Sequence, residues 1–107
     1  MTRRLEFTRK ASTDLEDIWA YTSRRWGSAQ AQHYVSTIRD RCRALAGGAL
    51  PATRVDVSGR TFVKSRAGSH VIFGIEAEAT FLVVRILHVR QDPDEGLALD
   101  PPSPSQA

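Results

Sequence analysis

The segment 80–90 constrains the fold most, because it is apolar on both sides of a predicted β-strand. Successive side chains of a strand point to opposite faces, so residues of even and odd number belong to different faces. One face carries Leu82, Val84 and Ile86, which we expect to contact the helices of the domain, and the other carries Phe81, Val83, Leu87 and Val89. Leaving two or three such side chains in water forgoes several kcal/mol, a large part of the stability of a small domain. Both faces of this strand must therefore be covered.

Two amphipathic helices precede this strand and can cover one of its faces. Apolar residues recur at spacings of three and four in two stripes, Ala11, Leu15, Ile18, Thr22 and Trp26 in the first helix and Ala31, Tyr34, Val35, Ile38, Cys42 and Leu45 in the second. Thr8 precedes the first stripe, Gly27 supplies a left-handed stop, and Ser28 can cap the second helix. The short break between the two helices predicts an antiparallel hairpin.

The remaining elements predict an α+β fold. Leu5 and Phe7 alternate with polar residues, as in a short first strand, whereas residues 50–58 lose this periodicity and Pro51 indicates a loop. Three strand-like runs follow at 60–65, 70–76 and 80–90, with separations that suit antiparallel hairpins. The order β-α-α-β-β-β places a helical hairpin on one face of a small, mainly antiparallel sheet.

The second face of the last strand can be covered in two ways. We expect one domain over residues 1–92 and a proline-rich, acidic, disordered tail over 93–107, with a short turn around Leu97 as an option. In the first explanation, the loop 50–57 or the tail folds over the second face. In the second, which we favour, a separate polypeptide covers this face from outside.

The distribution of charge favours an acidic partner. The chain has 107 residues with 15 Lys and Arg against 12 Asp and Glu, and all 15 bases lie within residues 1–90 beside only eight of the acids. This body carries a net charge of +7, which attracts nucleic acid or an acidic protein segment. The single cysteine, Cys42, excludes an internal disulfide and a cysteine-based zinc cluster. No apolar run suits a membrane span or a secretory signal, so we expect a cytoplasmic protein.

Most of the chemically active side chains fall on the last three predicted strands and at their ends. They are Arg60, Lys64, Arg66, His70, Arg85, His88 and Arg90. Such a cluster can hold a phosphodiester while a histidine transfers a proton, or it can simply solvate the strand edges, and both interpretations stay open. Strict alternation separates Arg85 from His88 and Arg90 unless a β-bulge intervenes. The histidines share no metal-ligand spacing, so we expect neither a metal nor another cofactor.

Two aromatic residues lie off the core stripe of the first helix. Trp19 and Tyr21 are therefore predicted to be exposed. Exposed aromatic side chains indicate a contact surface, and a single tryptophan folded over the side of the hairpin is the alternative.

The helical pair and the closing strand together resemble the ParE-type toxins of bacterial type II toxin-antitoxin modules. The residues that carry the likeness of the hairpin are Ala11, Asp14, Leu15, Ile18, Tyr21, Trp26, Gly27, Ala31 and Tyr34. The run His70-Val71-Ile72-Phe73 resembles the family's third strand, and residues 86–92, ILHVRQD, resemble its closing ILHxRxD pattern. The likeness spans about residues 4–92, most of the chain.

The resemblance implies a protein that poisons DNA gyrase by binding it and that is not itself an enzyme, so no catalytic residue is assigned. It also implies a hetero-oligomer with a ParD-like antitoxin whose acidic C-terminal segment wraps the toxin, with DNA contacted only through the antitoxin or gyrase. On this basis the antitoxin surface is expected at Trp19, Phe81, Val83 and Leu87. The target surface is expected at Arg60, Lys64, Arg66, Arg85, His88 and Arg90.

The rival interpretation is the RelE-type endonuclease, which shares the fold and cleaves messenger RNA at the ribosome. Relatives of that type frequently use a tyrosine near the C-terminus as the proton acceptor, but the only tyrosines here are Tyr21 and Tyr34, both in the helices. The nuclease interpretation then requires His88 as the base, with Arg85 and Arg90 holding the phosphate. A third possibility is a toxin-like chain that has lost its activity and acts only as a binding module.

Overall fold

Two helices cover one face of a five-stranded sheet in the computed structural model, which describes residues 3–49 and 52–97. The elements are β1 (Arg4–Phe7), α1 (Arg9–Trp26), α2 (Ser28–Ala46), β2 (Thr53–Val57), β3 (Arg60–Ala67), β4 (His70–Glu76), β5 (Thr80–His88) and α3 (Pro93–Leu97). The strand order is β1-β5-β4-β3-β2, with β1 parallel to β5 and every other neighbouring pair antiparallel. The predicted α+β fold with a mainly antiparallel sheet is confirmed.

The helical hairpin forms as predicted, with one difference at its turn. The Thr8 side-chain oxygen accepts a hydrogen bond from the Ala11 backbone N–H at 3.0 Å, which caps α1. Gly27, at φ 94°, both ends α1 and caps α2, so the prediction that Ser28 caps the second helix is wrong. A side chain at this positive φ would strain the backbone, which explains why a glycine makes the turn.

Two predicted irregular segments contain regular structure. Residues 53–57 of the predicted loop form β2, which pairs antiparallel with β3, because hydrogen bonds to a neighbouring strand compensate for a weak local pattern. Residues 93–97 of the predicted tail form the short helix α3. The rest of that tail, residues 98–107, lies outside the described residues.

The principal core lies between the helical hairpin and the sheet. Its helical members are Ala11, Leu15, Ile18, Ile38, Cys42, Leu45 and Ala46, and its sheet members are Val63, Ala67, Ile72, Phe81, Val83 and Ile86. Trp26, expected on the first stripe, is 66% exposed because it is the last residue of α1. Burial raises the pKa of the Cys42 thiol to about 12, so this cysteine behaves as a small apolar side chain.

A second apolar cluster lies on the side of the sheet opposite the helices, which we call the back face. Its buried members are Val57, Phe62, Phe73, Val84, Leu87 and Leu97, with Val55, Val71, Ile75 and Leu82 partly buried beside them. Leu97 of α3 covers part of β5 on this side. The predicted tail therefore covers part of this side, as in the first explanation, while Val71, Ile75 and Leu82 stay only partly buried.

A β-bulge in β5 determines which of its side chains reach each side. Arg85 pairs with Phe73 and Val83 pairs with Gly74, so Val84 is an extra residue without a partner on β4. Because of this extra residue, the side chains after the bulge lie on the opposite faces to those predicted by strict alternation from the residues before it.

Because of the bulge, the predicted directions of four side chains in β5 are wrong. Phe81 and Val83 pack beneath the helices, whereas Leu82 and Val84 join the back face, the reverse of the prediction for these four residues. Beyond the bulge the prediction is correct, with Ile86 beneath the helices and Leu87 on the back face. Val89, also expected on that second side, follows β5 and is 38% exposed.

Candidate functional site

The start of α1 satisfies the backbone groups that the bulge leaves without strand partners. The Thr8 hydroxyl donates a hydrogen bond to the Val84 carbonyl at 2.7 Å. The Ile86 backbone N–H donates to Asp14 Oδ2 at 2.9 Å. Because buried backbone groups need partners, these two side chains of the helix start stabilise the bulge.

Asp14 also binds Arg85 through both carboxylate oxygens. Arg85 donates from Nε to Oδ2 at 2.8 Å and from Nη2 to Oδ1 at 2.9 Å, and its Nη1 donates to the Gly96 carbonyl of α3 at 3.0 Å. The side chains of Arg85 and Asp14 are only 20% and 13% exposed, and the hydrogen bonds that Arg85 donates to Asp14 raise the pKa of Arg85. The guanidinium thus joins α1 to α3 and is largely occupied by partners within the chain.

Two histidines face each other across β4 and β5 near this ion pair. His70 pairs with His88 in register, and their rings meet edge to face with centroids 5.3 Å apart. The Tyr34 hydroxyl of α2 lies 2.7 Å from Nδ1 of His70 and accepts a hydrogen bond from the Ser69 N–H. Burial, followed by the neighbouring His88, lowers the pKa of His70. Nδ1 of His88 accepts a hydrogen bond from the Arg90 N–H at 3.1 Å.

The histidine pair lines a cleft of about 390 Å³ between α1 and the ends of β4 and β5, which we call the α1–β5 cleft. Its lining residues are Asp14, Asp17, Ile18, Tyr21, Thr22, His70, Arg85, Ile86, His88 and Gln91. The bulge brings Arg85 and His88 to this one cleft, where strict alternation would have separated them.

The back face carries a separate group of cations. Arg60, Lys64 and Arg66 lie an even number of residues from Phe62 on β3 and so share its back-face side, and all three are exposed. Val71 and Ile75 of β4 and Leu82 of β5 are only partly buried on the same side. This face is therefore both basic and apolar.

The predicted target residues divide between these two surfaces. Arg60, Lys64 and Arg66 lie on the back face, Arg85 and His88 line the α1–β5 cleft, and Arg90 is exposed just beyond β5. The structure does not unite the six in one site.

Most of the residues that were predicted to bind the antitoxin are buried. Phe81 and Val83 are 1% and 0% exposed beneath the helices, and Leu87 is 1% exposed in the back-face cluster that includes Leu97. The expectation that these three form an open surface is wrong, because the bulge turns two of them inward and the cluster around α3 encloses the third. Trp19 is 42% and Tyr21 58% exposed, as predicted for residues off the core stripe.

Sequence reasoning left Asp14, Asp17 and Tyr34 without a role in a site. Asp14 and Tyr34 belong to the stretches that resemble the toxin hairpin, but no local spacing links either one to a strand 36 to 72 residues away. Within residues 3–49 and 52–97, no three side chains of the metal-binding types cluster as ligands, and no helix there is long and apolar enough to cross a membrane.

Comparison with known proteins identifies the family. The sequence profile of the ParE toxin of type II toxin-antitoxin system, parDE, matches residues 5–93. Toxin ParE1 of Mycobacterium tuberculosis is 34% identical over 98 residues, which cover 91% of this chain and all of that protein. Toxin ParE1 of Caulobacter vibrioides is 32% identical over 76% of this chain and 83% of its own length, and Toxin ParE of Escherichia coli is 34% identical over 79% and 84%.

A solved structure supports the fold independently. The chromosomal ParDE system from P. aeruginosa contains a chain that superimposes with a TM-score of 0.71 over 83% of this chain and 98% of its own length, at 22% identity. The fold is therefore shared where the sequences have diverged. The profile match and the relative that is matched over its whole length show that the chain belongs to the family of ParE toxins of type II toxin-antitoxin systems.

Proposed function

We propose that this toxin acts in the cytoplasm by binding DNA gyrase, without cleaving a substrate itself, and that a ParD-like antitoxin neutralises it in a hetero-oligomeric complex. The family match supports the gyrase target, which the resemblance to ParE-type toxins implies. The observation that favours binding over catalysis is the separation of the back-face cations from the histidines of the α1–β5 cleft, on opposite sides of the sheet.

Cleavage of a phosphodiester requires cations and proton-transfer groups at one phosphate. The back face provides Arg60, Lys64 and Arg66, but its described part contains no histidine or tyrosine. The α1–β5 cleft provides His70 and His88, but the guanidinium at that place is already bound by Asp14. Neither side of the sheet therefore holds a complete set for the RelE-type reaction.

The back face suits contact with a protein that presents acidic and apolar groups. Its partly buried apolar side chains offer area to bury, and Lys64 and Arg66 beside them offer charge complementarity. We place both the gyrase contact and the acidic C-terminal segment of the antitoxin on this face. Neutralisation then follows because the two partners cannot occupy one surface at the same time.

The test compares a Lys64→Ala, Arg66→Ala double variant with Arg24→Ala, a control at an exposed base on α1. The wild-type protein and the control should inhibit gyrase supercoiling equally, whereas the double variant should need about tenfold more protein for the same inhibition, owing to the loss of two cationic contacts. Ribosome-bound messenger RNA should stay intact with all three proteins. Codon-specific cleavage of that RNA, or full inhibition by the double variant, would contradict the proposal.

A further inference from the structure

We propose that the α1–β5 cleft binds an arginine side chain of a partner polypeptide. This site lies on the helix side of the sheet and has the opposite charge preference to the back face. The inference therefore stands apart from the gyrase proposal. It rests on the charges, hydrogen-bond partners and walls of the cleft.

The charges within the cleft leave one carboxylate in excess. Asp14 and Arg85 form a two-oxygen ion pair and cancel each other. Asp17, one turn further along α1, also lines the cleft, is exposed and has no ion-pair partner among the described residues. A ligand in the cleft therefore meets a net negative charge, and a cation is the ligand that complements it.

The two imidazoles do not oppose a cation. Nδ1 of His88 accepts a hydrogen bond from a backbone N–H, which identifies this ring as neutral with its proton on Nε2. Burial keeps the pKa of His70 low, and its Nδ1 is held by the Tyr34 hydroxyl. The Nδ1 atoms of both rings therefore already have partners, and the hydrogen bond to His88 is one that only a neutral ring accepts.

The walls suit the long apolar stem of an arginine. Ile18 and Ile86 are buried and line the cleft, so methylene groups can pack against them. Tyr21, 58% exposed, lines the same cleft, and an aromatic ring attracts a guanidinium. The volume of about 390 Å³ lies near the lower end of the range of roughly 300–1,000 Å³ that is typical of ligand pockets.

A phosphate or a carboxylate fits this cleft poorly. It would approach the unpaired Asp17 carboxylate, and it could reach the Arg85 guanidinium fully only by displacing Asp14. Displacing Asp14 would also break its hydrogen bond with the Ile86 N–H. Both costs are absent for a cationic ligand, which makes a cation the favoured ligand of this cleft.

The test uses N-acetyl-L-arginine methylamide as the probe and follows the imidazole C–H signals of His70 and His88 by NMR at pH 7.5. We expect saturable shifts of both signals with a dissociation constant of about a millimolar, in keeping with a small ligand held by few contacts. The uncharged N-acetyl-norleucine methylamide should cause no saturable shift.

The Asp17→Asn variant should bind the probe about tenfold more weakly, because it loses the charge-assisted hydrogen bonds and keeps the size of the side chain. Glu16→Gln, an exposed acid on α1 outside the cleft, is the matched control and should bind like the wild type. Both positions are exposed, so both variants should fold, and unchanged backbone spectra verify this. Equal weakening by the two variants, equal shifts with the norleucine probe, or no saturable shift with the arginine probe would overturn the proposal.

Discussion

At the scale of single residues, Asp14 contacts a distant strand in a way that no pattern in the sequence indicates. One carboxylate binds the Arg85 guanidinium through two oxygens and accepts the Ile86 N–H at the bulge. Sequence reasoning assigned Arg85 to target binding, since an isolated arginine on a strand gives no sign of its partner. The acid lies 71 residues away, and only the packing of α1 on β5 brings the two together.

Replacement of Asp14 by alanine should lower the free energy of unfolding by about 2–4 kcal/mol, because it leaves a mostly buried guanidinium and a backbone N–H without their partner. Urea denaturation with an unchanged m-value is the measurement. The control is Asp40→Ala, which removes an exposed ion pair with Arg43 and should cost about 0.5 kcal/mol or less. Similar losses in the two variants would show that the Asp14 contacts contribute little.

At the scale of elements, the bulge in β5 depends on a glycine in the neighbouring strand. Gly74 pairs with Val83 beside the extra residue, and a Cβ atom there would lie 2.4 Å from the ring of Phe81 and 3.1 Å from the Leu82 carbonyl oxygen. The helices, the three hairpin strands and the sheet type were predictable because they follow local periodicity. The bulge, β2 and α3 were not, since each depends on contacts between distant segments.

A Gly74→Ala substitution should lower stability by about 1–3 kcal/mol, because the buried Phe81 ring and a backbone carbonyl cannot both move away. Gly47→Ala is the control, since Gly47 has helical dihedral angles and its added Cβ would meet no atom closer than 3.4 Å. It should change stability by no more than about 0.5 kcal/mol. Thermal and urea unfolding of both variants measure the difference, and an unaffected Gly74→Ala protein would disprove the packing argument.

At the scale of the whole molecule, the side chains of Asp14 and Tyr34 join the helical layer to the sheet. Asp14 attaches α1 to β5, and Tyr34 attaches α2 to His70 of β4. The first contact is an ion pair, whereas the second involves an imidazole whose pKa is lowered by burial and then by His88. The stability of the fold should therefore respond to mild acid through the second contact.

The sign of this response follows from the pKa difference. Unfolded His70 titrates near the ordinary pKa of about 6.5, and the folded protein holds that proton less tightly. The unfolded state therefore binds more protons at mildly acidic pH, so stability should be full above about pH 6.5 and should fall as the pH drops below it. Unfolding midpoints between pH 8 and pH 5 measure this. His70→Gln should flatten this part of the profile, while His33→Gln, at an exposed site on α2, should leave it unchanged.

The extra residue in β5 also bears on how chains of this fold can diverge. If Val84 were deleted and β5 stayed paired at its first half, every later side chain of the strand would change sides. His88 would then lie on the back face, which carries Lys64 and Arg66, instead of lining the α1–β5 cleft. The loss of a single codon would thus assemble an imidazole and two cations on one surface, the ingredients of a ribonuclease.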